Sequence, residues 1–128
     1  MKPLTIEWIE RAEGDHATTL REVRARRNPN YDEACFHAQQ CAEKDLKARL
    51  QDSSIPFGNI RDLATLLDRI IPSEPDWEQL REDLEALTAF ASESRYPGKS
   101  ADLTLANGAL VRCRRVRQVA RLAFGLTG

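Results

Sequence analysis

The stretch that decides the fold is Cys35–Leu50, with the sequence CFHAQQCAEKDLKARL. Helical periodicity places small and aliphatic residues of this stretch on a single side, namely Cys35, Ala38, Ala42, Leu46 and Leu50. Glu43 with Lys47, and Asp45 with Arg49, stand one turn apart with the acid first, which is the favourable order on a helix. Because the apolar residues at its N-terminal end are small, a neighbouring helix can approach closely. We therefore predict that this stretch is the central helix of a bundle.

Helical periodicity continues on both sides of the central helix. Five helices are predicted in chain order: one from Thr5, as N-cap, to about Arg26, one from about Tyr31 to Gln51, a short one marked by Leu63 to Ile70, one that Ser73 caps with Pro75 in its first turn, and one from between Ser100 and Thr104 to about Phe124. No segment alternates apolar and polar residues with a period of two, so no strand is predicted. The predicted fold class is all-α: a single domain over residues 1–128, folded as an up-and-down antiparallel bundle of about five helices.

Composition and charge exclude several classes of protein. A chain of 128 residues can bury one hydrophobic core but not two. The formal net charge of −1 gives no overall attraction to nucleic acid or to anionic lipid. No apolar run is long enough to span a bilayer, and the first residues lack the apolar segment of a signal peptide. We therefore expect a cytoplasmic protein without a membrane partner.

The three cysteines are interpreted as small buried thiols. Cys35 and Cys41 lie about 9 Å apart along one helix, which is too far for a disulfide. Only His37 is close enough in sequence to act as a further ligand, so no metal site is predicted. Gly-rich phosphate loops, Ser-His-Asp arrangements and the paired aspartates of a nucleotidyltransferase are absent from the sequence, and no cofactor is expected.

The central helix also resembles a known family, the prokaryotic HEPN domains. The matching residues are the run Phe36–Lys44 with Leu46, Lys47 and Ala48, then Trp8, Ala12 and Asp15 in the first helix, Asp62 and Leu63 in the third, and Arg95, Tyr96 and Pro97 before the last. The resemblance covers nearly the whole chain. It implies an antiparallel helical bundle that is often dimeric, and that either accompanies a minimal nucleotidyltransferase or acts as a ribonuclease.

Catalytic members of that family carry an arginine and, a few residues later, a histidine near the start of a late helix. They cut RNA without metal, usually between two protomers. The two histidines here are His16 and His37, so the late helices cannot carry the motif. Arg11 and His16 fit its spacing in the first helix, where chance explains the match and His16 is interpreted as a helix-face residue. His37 is interpreted as an exposed or groove-edge residue without an identifiable partner, so no catalytic residue is predicted and binding is favoured.

Two groups of polar residues are candidates for binding a ligand or partner. The first comprises Gln39, Gln40, Lys44, Lys47, Arg95 and Tyr96. The Gln39 amide falls in the apolar arc and needs a hydrogen-bond partner, while Tyr96 either binds a ligand or covers the core. Gln40 and the two lysines form either a solvated strip or a groove for an anion or nucleotide.

The second candidate group is a basic stripe on the last helix, formed by Arg114, Arg117 and Arg121. These arginines either face solvent, or pair with the acidic fourth helix of the same or a second chain, or contact phosphate.

Three functions stay open on the sequence alone. The first, implied by the resemblance, is a non-catalytic HEPN protein that binds a separately encoded minimal nucleotidyltransferase in a toxin–antitoxin or defence-type module, with nucleotide or RNA as a candidate ligand. The second is a metal-independent ribonuclease that acts as a dimer through His16 or His37. The third is a structural dimerisation module in which acidic and basic helices meet. A homodimer is the expected assembly.

Overall fold

The computed structural model describes residues 1–126 and confirms the all-α bundle, with five α-helices and no strand in that range. The helices are α1 (Pro3–Arg24), α2 (Tyr31–Asp52), α3 (Leu63–Ile70), α4 (Arg81–Glu93) and α5 (Leu103–Ala123), and a short 3₁₀ helix, Pro75–Leu80, leads into α4. Within these residues, no helix combines the length and apolar character needed to cross a membrane.

The α2 helix lies at the centre of the bundle, as predicted, and packs against α1, α3, α4 and α5. The five residues of its predicted apolar side have no exposed area. Full burial of an aliphatic side chain such as Leu46 or Leu50 contributes roughly 1.5–3 kcal/mol. Ala48 and Cys41 are also fully buried on other sides of α2. A helix buried in several directions needs small residues, and α2 supplies them.

The remaining core residues come from α1, α3, α4, α5 and the 3₁₀ helix before α4. All of the apolar positions predicted for the fourth helix are buried, namely Trp77, Leu80, Leu84, Leu87 and Ala91. On α5, Ala109, Cys113, Val116 and Ala120 are buried as predicted, whereas Leu105 is half-buried and Ala123 is exposed. Every helix therefore contributes to the same hydrophobic core.

Two predicted helix starts are wrong. Thr5 does not cap α1, because the helix already begins at Pro3 and Thr5 is buried one turn inside it. Proline at the first helical position has its φ preset and needs no hydrogen-bond partner, which favours the earlier start. Ser73 does not cap the fourth helix either, because Glu74 precedes a 3₁₀ turn and the α-helical hydrogen bonding begins at Arg81.

The start of α5 lies where the sequence predicted it, and two aspartates fix it. Asp102 caps the helix by accepting a hydrogen bond from the Leu105 backbone N–H at 2.8 Å. Asp32 on α2 accepts one from the Ala101 backbone N–H at 2.7 Å. The second of these bonds holds the beginning of α5 against α2.

Candidate functional site

The arginines of the basic stripe lie against α1. Arg117 holds the Glu13 carboxylate with two hydrogen bonds, from Nε to Oε2 at 2.7 Å and from Nη2 to Oε1 at 2.6 Å. Arg121 donates from Nη1 to the same Oε1 at 3.4 Å. One turn further along α1, the His16 imidazole accepts from Nε of Arg114 through Nε2 at 3.4 Å. We call these five residues, Glu13, His16, Arg114, Arg117 and Arg121, the arginine cluster.

Other arginines of α5 face the acidic helix. Asp83 on α4 lies 3.3 Å from Nε of Arg115 and 3.9 Å from Nε of Arg112. Pairing between acidic and basic helices therefore occurs within one chain, but through these two arginines. The basic stripe is turned to the opposite side of α5, where α1 supplies the contacts.

The charged groups of the arginine cluster shift the pKa values of Glu13 and His16. Burial on its own would raise the pKa of Glu13, but the hydrogen bond and charge of Arg117, with the charges of Arg121 and His16, hold that pKa below its ordinary value. Burial, followed by the charges of Arg117 and Arg114, lowers the pKa of His16 although Glu13 opposes the shift. The site thus holds an ionised Glu13 and a neutral imidazole at neutral pH. Arg114 is exposed and forms no ion pair with any residue in 1–126.

A buried carboxyl group from α2 lies beneath the arginine cluster. Asp45 is 1% exposed, and burial, together with the negative charge of Glu13, raises its pKa to about 8. The Cys41 thiol donates to Oδ2 of Asp45 at 3.7 Å. A hydrogen bond with Cys113 and burial raise the pKa of Cys41, so this layer stays protonated at neutral pH. Because Asp45 is then mostly uncharged, it does not cancel the positive charge of the arginines above it.

The α5 side of the arginine cluster opens into a shallow cavity of about 250 Å³. Its lining residues are Arg114, Arg117, Gln118, Arg121, Leu122 and Leu126. Guanidinium groups and an amide are suited to phosphate or carboxylate oxygens. No aromatic ring is present among these described lining residues, so the cavity is suited to an anion rather than to a stacked base.

A second polar cluster surrounds His37. Its Nδ1 lies 2.7 Å from Oδ1 of Asp15 on α1, and its Nε2 lies 3.3 Å from Oε2 of Glu33 on α2. The Lys44 ammonium donates to the other oxygen of Asp15. Both imidazole nitrogens thus face carboxylates. His37 has the partner that the sequence did not identify, and the arrangement joins α1 to α2.

The predicted polar strip of α2 lies under α1 and not in open solvent. Lys47 is buried, pairs with Glu43 at 3.0 Å and lies 5.6 Å from the centre of the Trp8 ring. Lys44 lines a groove of about 350 Å³ with Leu4, Glu7, Trp8, Arg11 and Gln51, but Asp15 balances its charge. Of the two amides, the half-buried Gln39 accepts a hydrogen bond from Gln40 at 3.0 Å.

The loop before α5 places the two remaining candidates apart from each other. The guanidinium of Arg95 lies 3.7 Å from the centre of the Phe36 ring, and its Nη2 lies 3.8 Å from Glu33. This stacked geometry fixes the loop on α2. Tyr96 is 66% exposed, so it does not cover the core and remains accessible to a partner.

Glu13 and Asp45 are the site residues that sequence reasoning missed. The sequence offers no motif that singles out Glu13, and it places Asp45 only in a helical pair with Arg49. The arrangement of Glu13 and His16, three residues apart on α1, was an available signal because such residues share a helix face. Arg11 and His16, whose matching spacing the sequence analysis attributed to chance, face different neighbours: Arg11 lines the α1–α2 groove, whereas His16 lies against α5.

The fold and the site define an all-α bundle with a cationic surface between its first and last helices. A comparison with family models finds the HEPN domain over residues 5–122, which confirms the resemblance noted in the sequence. The chain therefore belongs to the HEPN domain family. No curated protein and no solved structure matches the chain.

Proposed function

We propose that this HEPN protein acts by binding phosphate-bearing molecules through the arginine cluster. The observation that carries the proposal is the position of Arg114, exposed beside the cavity and without a carboxylate partner in residues 1–126. Arg117 and Arg121 line the same cavity. Because Asp45 beneath them is largely protonated at neutral pH, the surface keeps a positive charge that attracts phosphate.

The geometry favours binding over catalysis. A general base needs a free lone pair aimed at the proton that it abstracts. The Nε2 lone pair of His16 instead accepts a hydrogen bond from Arg114, and both nitrogens of His37 face carboxylates. The sequence has no histidine after His37, so α4 and α5 offer no other imidazole.

We further propose that the protein is the non-catalytic partner of a separately encoded minimal nucleotidyltransferase, in a toxin–antitoxin or defence-type module, and that it forms a homodimer. Family membership supports this role, together with the absence of the late-helix histidine. Co-expression with a nucleotidyltransferase from the neighbouring reading frame tests it. We expect the two proteins to copurify, and a neighbour that elutes separately would remove this part of the proposal.

The phosphate-binding surface is tested by fluorescence anisotropy with a labelled oligouridylate. Arg114→Gln is expected to weaken binding and to reduce the slope of log K against log salt concentration by about 1, since one phosphate contact is lost. Arg115→Gln is the matched control, because it removes the same charge from the same helix but on the side that faces Asp83. Equal effects of the two substitutions would show that only overall charge matters.

A metal-independent ribonuclease is the second candidate function, favoured by the contact between His16 and Arg114. An imidazole with lowered pKa is unprotonated at neutral pH, and nearby guanidinium groups can stabilise charge on a phosphate in the transition state. Incubation of RNA with chelator and purified protein tests this function. Cleavage that is lost in His16→Ala but kept in His37→Ala would establish it, and intact RNA in every sample would reject it.

A further inference from the structure

Glu13 occupies the best anion-binding position of the arginine cluster. Its two carboxylate oxygens accept parallel hydrogen bonds from Arg117 at 2.6 and 2.7 Å. This two-pronged geometry is the one by which arginine holds a carboxylate or a phosphate. Arg121 adds a third contact to the same carboxylate. The Glu13 carboxylate therefore occupies the guanidinium groups of Arg117 and Arg121 that a ligand phosphate would use.

The same two guanidinium groups also reach the cavity. Arg117 and Arg121 line it together with Arg114, whereas Glu13 contacts them from α1. A phosphate placed in the cavity would lie close to the Glu13 carboxylate, and two anions on one guanidinium repel each other. Ligand binding and the Glu13–Arg117 contact thus oppose each other.

We propose that Glu13 is an internal competitor for the phosphate-binding surface: it occupies Arg117 while no ligand is present, and a phosphate monoester or diester must displace it to bind. This inference rests on the proposed function, since it concerns regulation of the same surface. The competition keeps affinity low for isolated phosphates. It favours ligands with several phosphates, which can engage Arg114 first and then take over Arg117.

The test compares Glu13→Gln with wild-type protein. Glutamine keeps the length of the side chain and one acceptor oxygen but removes the competing charge. We expect it to bind an oligouridylate about tenfold more tightly, because a charge-assisted hydrogen bond no longer has to be broken. The salt slope should stay close to the wild-type value, since Arg117 contacts a ligand phosphate in both complexes once Glu13 has been displaced. A 2′-O-methyl oligouridylate avoids any cleavage, and ATP and inorganic phosphate serve as further probes that separate RNA, nucleotide and simple anion binding.

Glu10→Gln is the matched control. Glu10 lies one turn earlier on α1, is exposed, and forms no ion pair within residues 1–126. The Glu10→Gln substitution removes the same negative charge and should change the affinity for the oligouridylate far less than Glu13→Gln does. Thermal unfolding of both variants establishes that they are folded. If Glu13→Gln itself is unfolded, Glu13→Asp serves instead: its shorter side chain weakens the Arg117 contact and should also tighten ligand binding.

Failure of this inference is distinguishable from failure of the proposed function. If Arg114→Gln weakens binding but Glu13→Gln leaves affinity unchanged or lower, the surface binds phosphate and Glu13 is not a competitor. If Arg114→Gln has no effect in the wild-type or the Glu13→Gln background, the phosphate-binding surface itself is rejected. Absence of binding by wild type and Glu13→Gln alike overturns both.

Discussion

Replacing Asp45 by asparagine should change how the stability of the protein depends on pH. Asp45 is buried beneath the arginine cluster, and its pKa is raised from 3.8 to about 8, first by burial and then by the charge of Glu13. Between these two values the folded protein keeps a proton that the unfolded chain has lost. Stability therefore falls as pH rises through this window, at up to about 1.4 kcal/mol per pH unit. Asparagine cannot titrate, so this contribution disappears in the variant.

The size of the effect follows from the same two pKa values. From about pH 6 to about pH 8, proton linkage at Asp45 should cost the wild type about 2 kcal/mol relative to Asp45→Asn. Urea unfolding at a series of pH values measures this difference. Titration of cysteines and histidines in the unfolded chain is the same for both proteins and cancels. At any single pH, the difference in free energy of unfolding between the wild type and Asp45→Asn also reflects how the amide packs. Only the change of this difference with pH therefore tests the prediction.

Asp76→Asn is the matched control for this experiment, because Asp76 is exposed on the 3₁₀ helix. It should follow the pH dependence of wild type. Parallel curves for wild type and Asp45→Asn would refute the argument that burial keeps Asp45 protonated. A wild type that gains stability relative to the variant as pH rises would refute it more strongly, because Asp45 would then be stabilised as an anion by Arg117 and Arg121.

Three further predictions concern packing, the His37 cluster and the thiols. Leu46→Ala should lower the free energy of unfolding by about 2–5 kcal/mol. Leu122→Ala, at a side chain that is 67% exposed, should change it by less than about 0.5 kcal/mol. Equal losses of stability in urea unfolding would contradict the central position of α2. Asp15→Asn should lower the free energy of unfolding by about 1–3 kcal/mol, because the buried carboxylate that holds His37 and Lys44 loses its charge. A stability equal to that of the wild type would show that the His37 cluster does not stabilise the fold. The cysteines should react slowly with a thiol reagent until denaturant is added. All three are buried, and burial raises the pKa of Cys35 to about 11. Rapid labelling of the native protein would show that the bundle opens.

The helical fold was predictable because its signal is local and repeated. Periodicity assigned the inward side of α2 correctly, and the whole apolar stripe from Trp77 to Ala91 is buried as expected. Helix starts were less predictable, because competing local signals decide them. Thr5 and Ser73 are good capping residues, but the prolines nearby set different first turns. The local sequence shows every residue that could start a helix, but it does not show which of these starts the packing of the bundle favours.

The contacts of the site were not predictable, because they depend on how helices cross. Glu13 and Arg117 are 104 positions apart, and their pairing requires α1 to lie alongside α5. The spacing of Arg114, Arg117 and Arg121 indicates a shared face of the last helix, but the acidic α4 was considered as their partner within the chain. The same limit applies to Lys47, whose place on a polar strip suggested solvent, whereas α1 covers that strip. Periodicity identifies a face of a helix, and only the crossing of helices determines what the face meets.

His16 contacts a guanidinium group on another helix and not one on its own helix. A motif of an arginine followed by a histidine within one helix is a means of placing an imidazole near a guanidinium. Here Arg11 and His16 satisfy that spacing, yet they face different neighbours, and α1 brings His16 to Arg114 on α5 instead. Two antiparallel or parallel helices can therefore bring together groups that no single helix carries. A general base needs a free lone pair, and in this chain the Nε2 lone pair of His16 accepts a hydrogen bond from Arg114.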